Sequence, residues 1–119
     1  MTNMRYKAIG TLLLTWLAVP TFADDHASTC PSSLAGVSVH QQAKMCQQFN
    51  PSQHSEHQSL SYFVPLSSEQ LVTYYQAKHA ELTVHSTFNQ RILLTMQETR
   101  IRVAISPDHN GSQVDILVL

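Results

Sequence analysis

Three stretches in the last third of the chain alternate apolar and polar positions with a period of two, which predicts half-buried β-strands. Ile92, Leu94 and Met96 alternate with Leu93, Thr95 and Gln97. Ile101, Val103 and Ile105 alternate with Arg100, Arg102 and Ala104, and Val114, Ile116 and Val118 with Gln113, Asp115 and Leu117. Pro107-Asp108-His109-Asn110-Gly111 is a strong turn between the last two. Antiparallel pairing around it sets Ile105 opposite Val114, Val103 opposite Ile116 and Ile101 opposite Val118. Pairing around Glu98-Thr99 sets Met96 opposite Ile101, Leu94 opposite Val103 and Ile92 opposite Ile105. Both hairpins put the same residues on one face, and a slip of one residue would reverse them all, so the pattern predicts a β-meander.

Thr83 to Phe88 allows two registers. A two-residue turn at Asn89-Gln90 pairs His85 with Leu94 and drives the imidazole into the core. A three-residue turn, Asn89 to Arg91, pairs Phe88 with Ile92 and Val84 with Met96. The second is expected, because Val and Phe are more often buried than His.

Upstream, Ser59 to Val64 alternates and ends at Pro65, a short strand. Ser67 and Gln70 form a capping box, with Leu66 and Leu71 placed as a hydrophobic staple. A helix is predicted over Ser68 to Glu81, its apolar stripe traced by Leu71, Tyr74, Tyr75, the Lys78 stem and Leu82. An earlier helix is expected over Val39 to Gln48, N-capped by Ser38 and stopped by Asn50-Pro51. Residues 51–59 are polar and read as a loop. The fold class is α+β: a small two-layer domain, an antiparallel meander of four to five strands packed by one or two helices. The second helix covers one sheet face. The other is partly apolar at Leu93 and Leu117, left for the first helix or for a partner.

The N-terminus carries a different pattern. Arg5 and Lys7 precede an apolar run from Ala8 to Val19, Pro20 breaks it, and Thr21-Phe22-Ala23 ends on a small residue. The run is too short for a membrane span, which needs about 20 residues. Its order is that of a secretory signal peptide over residues 1–23. No Cys directly follows the run, so no lipid anchor is expected after processing. Removing 23 of 119 residues leaves 96, with an arm, helix and polar loop over 24–58 and a strand-helix-meander core over 59–119, together one domain. Five basic residues then face eight acidic ones. An acidic, exported protein, periplasmic or secreted, is the expectation. No basic excess exists to neutralise phosphates, which argues against nucleic acid. Cys30 and Cys46, the only two cysteines, read in that setting as one disulfide, worth about 3 kcal/mol in the chain-entropy view.

Candidate chemistry is sparse. The seven His equal Lys and Arg together. His54 and His57, with Glu56 between, have borderline-metal character but lack a third ligand on a rigid element. No Gly-x-Ser-x-Gly elbow, Gly-rich phosphate loop or paired-acid signature is present, so an enzyme is not expected. Tyr75, at the edge of the helical stripe, is the aromatic candidate for a contact surface, with Tyr74 packed on the sheet. Arg100 and Arg102 on the outer sheet face, near Arg91, are candidates for receiving an acidic partner, with Leu117 beside them. The leading expectation is an exported, non-enzymatic module that binds a protein partner in the cell envelope. The alternative is a copper or nickel protein. Cleavage after Ala23 exposes Asp24-Asp25-His26, whose α-amine, two amide nitrogens and third-position imidazole form a square plane of nitrogens. Cu(II) and Ni(II) prefer that geometry and Zn(II) does not.

Overall fold

The computed structural model describes residues 30–51 and 56–119. The expected signal peptide over residues 1–23, the Asp24-Asp25-His26 motif and His54 lie outside those residues. In chain order the elements are β1 (Ser33–Leu34), β2 (Val37–Ser38), β3 (Lys44–Phe49), β4 (Gln58–Val64), α1 (Ser68–Lys78), β5 (Thr83–Phe88), β6 (Arg91–Met96), β7 (Ile101–Asp108) and β8 (Gly111–Val118). β1 and β2 make a small hairpin. The other six strands form one antiparallel sheet in the order β3-β4-β8-β7-β6-β5. α1 packs on one face, which makes a compact α+β globule.

The two hairpin registers expected from the alternation are those observed. Val103 pairs with Ile116 and Leu94, and Ile105 with Val114 and Ile92. Their inward row joins Leu60, Tyr62 and Val64 of β4 and Leu71, Tyr75 and Leu82 of the helical segment in a single core. The capping box is formed: Ser67 Oγ accepts from the Gln70 amide at 3.1 Å and the Gln70 side chain accepts from the Ser67 amide at 2.9 Å. The helix stops at Lys78, short of Glu81, because His79 turns extended (φ −136, ψ 97) and brings Leu82 down into the core.

Two expectations are corrected. The helix over Val39 to Gln48 does not form; the chain turns there and continues as β3. β4 would otherwise leave one row of backbone donors and acceptors unpaired, and β3 satisfies it. Val39 belongs instead to a strap, residues 30–43, that sends Leu34, Val37 and Val39 into the core. The Cys30–Cys46 disulfide ties the start of that strap to β3, with 5.3 Å between Cα atoms.

The β5 register is the second correction. Asn89 and Gln90 both take positive φ (51 and 68), the two-residue turn whose twist suits a hairpin. Phe88 therefore faces Arg91 and is 75% exposed. A register shift between Val84 and Ser86 returns Val84 to Leu94, so His85 occupies a bulge rather than the core. Turn geometry sets the pairing here, because an edge strand has little burial to oppose it.

The C-terminal strand is not an edge of the sheet. β8 is interior, paired along its length with β4 and β7. Its first residue, Gly111, meets the end of β4 so closely that an added Cβ would stand 2.3 Å from the Val64 carbonyl oxygen and 2.8 Å from Pro65 Cα. Backbone cannot yield as a side chain does. Gly111→Ala is expected to destabilise the protein by about 3 kcal/mol, measured by urea denaturation. An unchanged midpoint would show that the two turns are free to separate.

Candidate functional site

Two groups of side chains stand out once the fold is built, one on each face of the sheet. On the helix face, Tyr62 from β4 and Tyr75 from α1 meet with their hydroxyl oxygens 2.6 Å apart, both essentially inaccessible. The strap satisfies them. Tyr75 Oη donates to the Ser38 carbonyl at 2.7 Å, leaving Tyr62 to donate to Tyr75, and the His40 amide donates to Tyr62 Oη at 3.3 Å. The Ser38 amide in turn donates to His79 Nε2 at 3.0 Å. Burial pushes both phenols above their ordinary value, Tyr75 further because the Tyr62 hydroxyl faces it.

Tyr74 lies one residue outward. Its ring packs against His40, centroids 4.5 Å apart, and meets Tyr75 edge-on at 5.0 Å. Lys78, one helical turn on, holds its ammonium 5.8 Å from the Tyr74 centroid. Burial, then the Lys78 charge, lowers the His40 pKa. Burial raises that of Tyr74 against the opposing hydrogen bond of the Ser38 side chain.

The outer sheet face is open among the described residues. Read across the strands, one transverse row is Gln47, Ser61, Asp115, Ala104, Leu93 and Ser86. The small Ser86 and Ala104 in that row leave a groove of about 310 Å³ with Leu93, Ala104, Leu117 and Phe88 as its apolar lining. Arg91 and Asp115 pair across it at 3.5 Å. Asp115 is held from its other side by the Ser61 hydroxyl at 2.6 Å and the Gln113 amide at 3.1 Å. Arg102 also lines the groove and donates through Nε to the Thr99 carbonyl at 3.1 Å. Two arginines against one aspartate give the groove a positive balance.

The groove runs out to β5. That strand is exposed along its length and carries neither a charge nor a proline, the usual guards of a sheet edge. Its one irregularity is the His85 bulge. The opposite edge, β3, is better protected by Lys44, its own bulge and the disulfide.

The sequence-derived candidates separate accordingly. Arg102 and Leu117 are both on the groove. Arg100 is not; it sits in the β6–β7 connection and reaches the Leu119 carbonyl at 3.5 Å. Tyr75 is fully buried and Tyr74 half-buried, the reverse of the expected order, because Leu71 and Tyr75, four apart, take the inward face. Phe88, expected inside, lines the groove instead, and His40 carries no expectation from the sequence. The Asn89-Gln90 pair was the available signal for Phe88, since Asn tolerates positive φ. Nothing local marks His40. His57 is exposed just before β4. Among the described residues no three His, Cys, Asp or Glu side chains gather as a metal site, and no helix is long and apolar enough to cross a membrane. Comparison of the chain with protein families, curated proteins and solved structures finds no match.

The buried phenols make stability depend on alkali. Tyrosine ionises near its ordinary pKa of 10 in the unfolded chain and higher in the folded one. Stability is therefore full below about pH 10 and falls as pH rises beyond it, with a slope approaching 1.4 kcal/mol per pH unit for each phenol. Tyr75→Phe removes the donor to Ser38 and is expected to cost about 1–3 kcal/mol at neutral pH while flattening the alkaline slope. Urea titrations at a series of pH values read both. A slope unchanged in Tyr75→Phe would refute the assignment.

Proposed function

We propose that the protein is a small exported module that acts by binding a protein partner in the cell envelope, rather than by catalysis. The observation that carries this reading is the open groove on the outer sheet face, apolar in its floor, positive at its rim and continuous with an unguarded edge strand. An apolar groove beside an unguarded strand edge offers both a pocket and free backbone groups to a partner segment. The groove suits a partner segment that presents one apolar side chain to Leu93 and Leu117 and an acidic group to Arg102. The Cys30–Cys46 disulfide supports an oxidising destination outside the cytoplasm, periplasmic or extracellular.

The test uses Leu93→Gln and Leu117→Gln, half-buried outer-face positions whose change leaves the core intact. Cross-linking from Phe88 in an envelope extract is expected to capture one specific protein. Either substitution is expected to lose it at an unchanged melting temperature. Capture indifferent to both changes, or full activity of the purified protein on a small substrate with no partner, would end this reading.

A second reading is favoured by the same disulfide. Export implies removal of the leader, and cleavage after Ala23 creates the amino-terminal copper and nickel motif at Asp24-Asp25-His26. Mass spectrometry of the exported protein is expected to give Asp24 as the first residue. Cu(II) added at neutral pH is then expected to bind in one equivalent with the d–d band of a four-nitrogen plane. The band should vanish in His26→Ala or when one residue is added before Asp24. A different first residue, or binding insensitive to both changes, rules the motif out.

A further inference from the structure

A second concavity lies where the strap crosses the last turn of α1, on the side of the sheet opposite the groove. It measures about 360 Å³, and its polar lining is Ser32, Ser38, His40, Gln41, Tyr74 and Lys78. No carboxylate lines it. Nor does any carboxylate among the described residues stand within ion-pair distance of Lys78, whose ammonium lies beside the Tyr74 ring and acts electrostatically on His40. The donors beside it are already oriented. His40 Nδ1 accepts the Gln42 amide at 3.0 Å, so the neutral ring carries its proton on Nε2, the nitrogen left free. The Tyr74 ring fixes the imidazole plane from one side.

The frame behind these groups is well held. Ser38 is bonded through its carbonyl to Tyr75 and through its amide to His79, the His40 amide is bonded to Tyr62, and the disulfide anchors the strap's start. Donors fixed before a ligand arrives lose little freedom on binding it. A lone ammonium flanked by neutral donors, with no acid to repel an anion, complements an oxyanion and rejects a cation. We propose that this cleft binds a small oxyanion of the carboxylate or phosphate class, with Lys78 as the charge and His40 Nε2 and the Tyr74 hydroxyl as donors. The inference is independent of the outer-face groove, whose substitutions leave this cleft untouched.

Inorganic phosphate and acetate, each titrated into the mature protein at ionic strength held constant with sodium chloride, test it. Saturable NMR shifts of the His40 and Tyr74 ring signals are expected, with half-saturation in the millimolar range. Saturation by phosphate alone, by acetate alone or by both assigns the anion within the class. Lys78→Met, which keeps the stem at an exposed position, is expected to weaken binding about tenfold or more, and Lys78→Arg to retain it. His40→Gln gives a second, independent loss. Lys44→Met removes a distant cation and is expected to change nothing. Absence of saturable shifts from both anions up to about 100 mM overturns the proposal. So does a loss in Lys44→Met equal to that in Lys78→Met, which would mean the anion senses only net charge.

Discussion

Two phenol hydroxyls buried in the middle of a small core constrain the rest of this molecule. Tyr62 comes from the sheet and Tyr75 from the helix, and neither oxygen reaches water. A buried hydroxyl without a partner costs about 1–3 kcal/mol, a large part of a small domain's total stability. The pair satisfies itself only in part: one hydroxyl donates to the other, and the second then needs an acceptor from elsewhere. The Ser38 carbonyl supplies it. The strap is therefore a component of the core. It brings Leu34, Val37 and Val39 to cover the helix–sheet junction in the same movement that brings the carbonyl. The disulfide holds the strap's start against β3, so the edge strand, the strap and the tyrosine pair form one connected unit.

That unit makes the two faces of the sheet unequal. The inner face is closed by α1 and the strap, and nearly all its side chains are inaccessible. The outer face has no covering element among the described residues. Its central row includes the small Ser61, Ala104 and Ser86, with Asp115 pinned among three polar neighbours, an arrangement that orders a surface without filling it. The edges differ in the same sense. β3 is tied by the disulfide and interrupted by a bulge. β5 bears exposed Val84 and Phe88 beside the groove. A platform with one closed face, one open face and one available edge is suited to binding, and it places the apolar and basic groups of that surface on rigid strands rather than on loops.

The amino-acid sequence by itself determined the meander and the start of the helix. Two hairpins sharing the strand Ile101–Asp108 overdetermine its register, because the period-two pattern must agree on both sides at once. The capping box at Ser67 and Gln70 is a contact between residues three apart, and such contacts are written wholly in local order. Arg102 and Leu117 were legible as outer-face residues for the same reason of parity, and Cys30–Cys46 because only two cysteines exist.

Tertiary structure decided the rest. Val39 to Gln48 has helix-forming residues and an apolar spacing that suits a helix, yet the chain turns there and runs on as β3 (Lys44–Phe49), because the edge of β4, distant in sequence, offers it hydrogen bonds. Tyr74 and Tyr75 both fall within the apolar stripe drawn on the helix. Which of them turns inward depends on where the sheet and the strap stand, and the Ser38 carbonyl that selects Tyr75 is 37 residues away. Phe88 is exposed because a two-residue turn fixed its register at an edge where burial exerts little pull. His40 joins Tyr74 and Lys78 only because the disulfide and the phenol pair fold the strap across the helix. Local periodicity and capping involve neighbours along the chain and can be read there; the satisfaction of buried polar groups draws on partners from anywhere in it, and is settled only when the chain has closed.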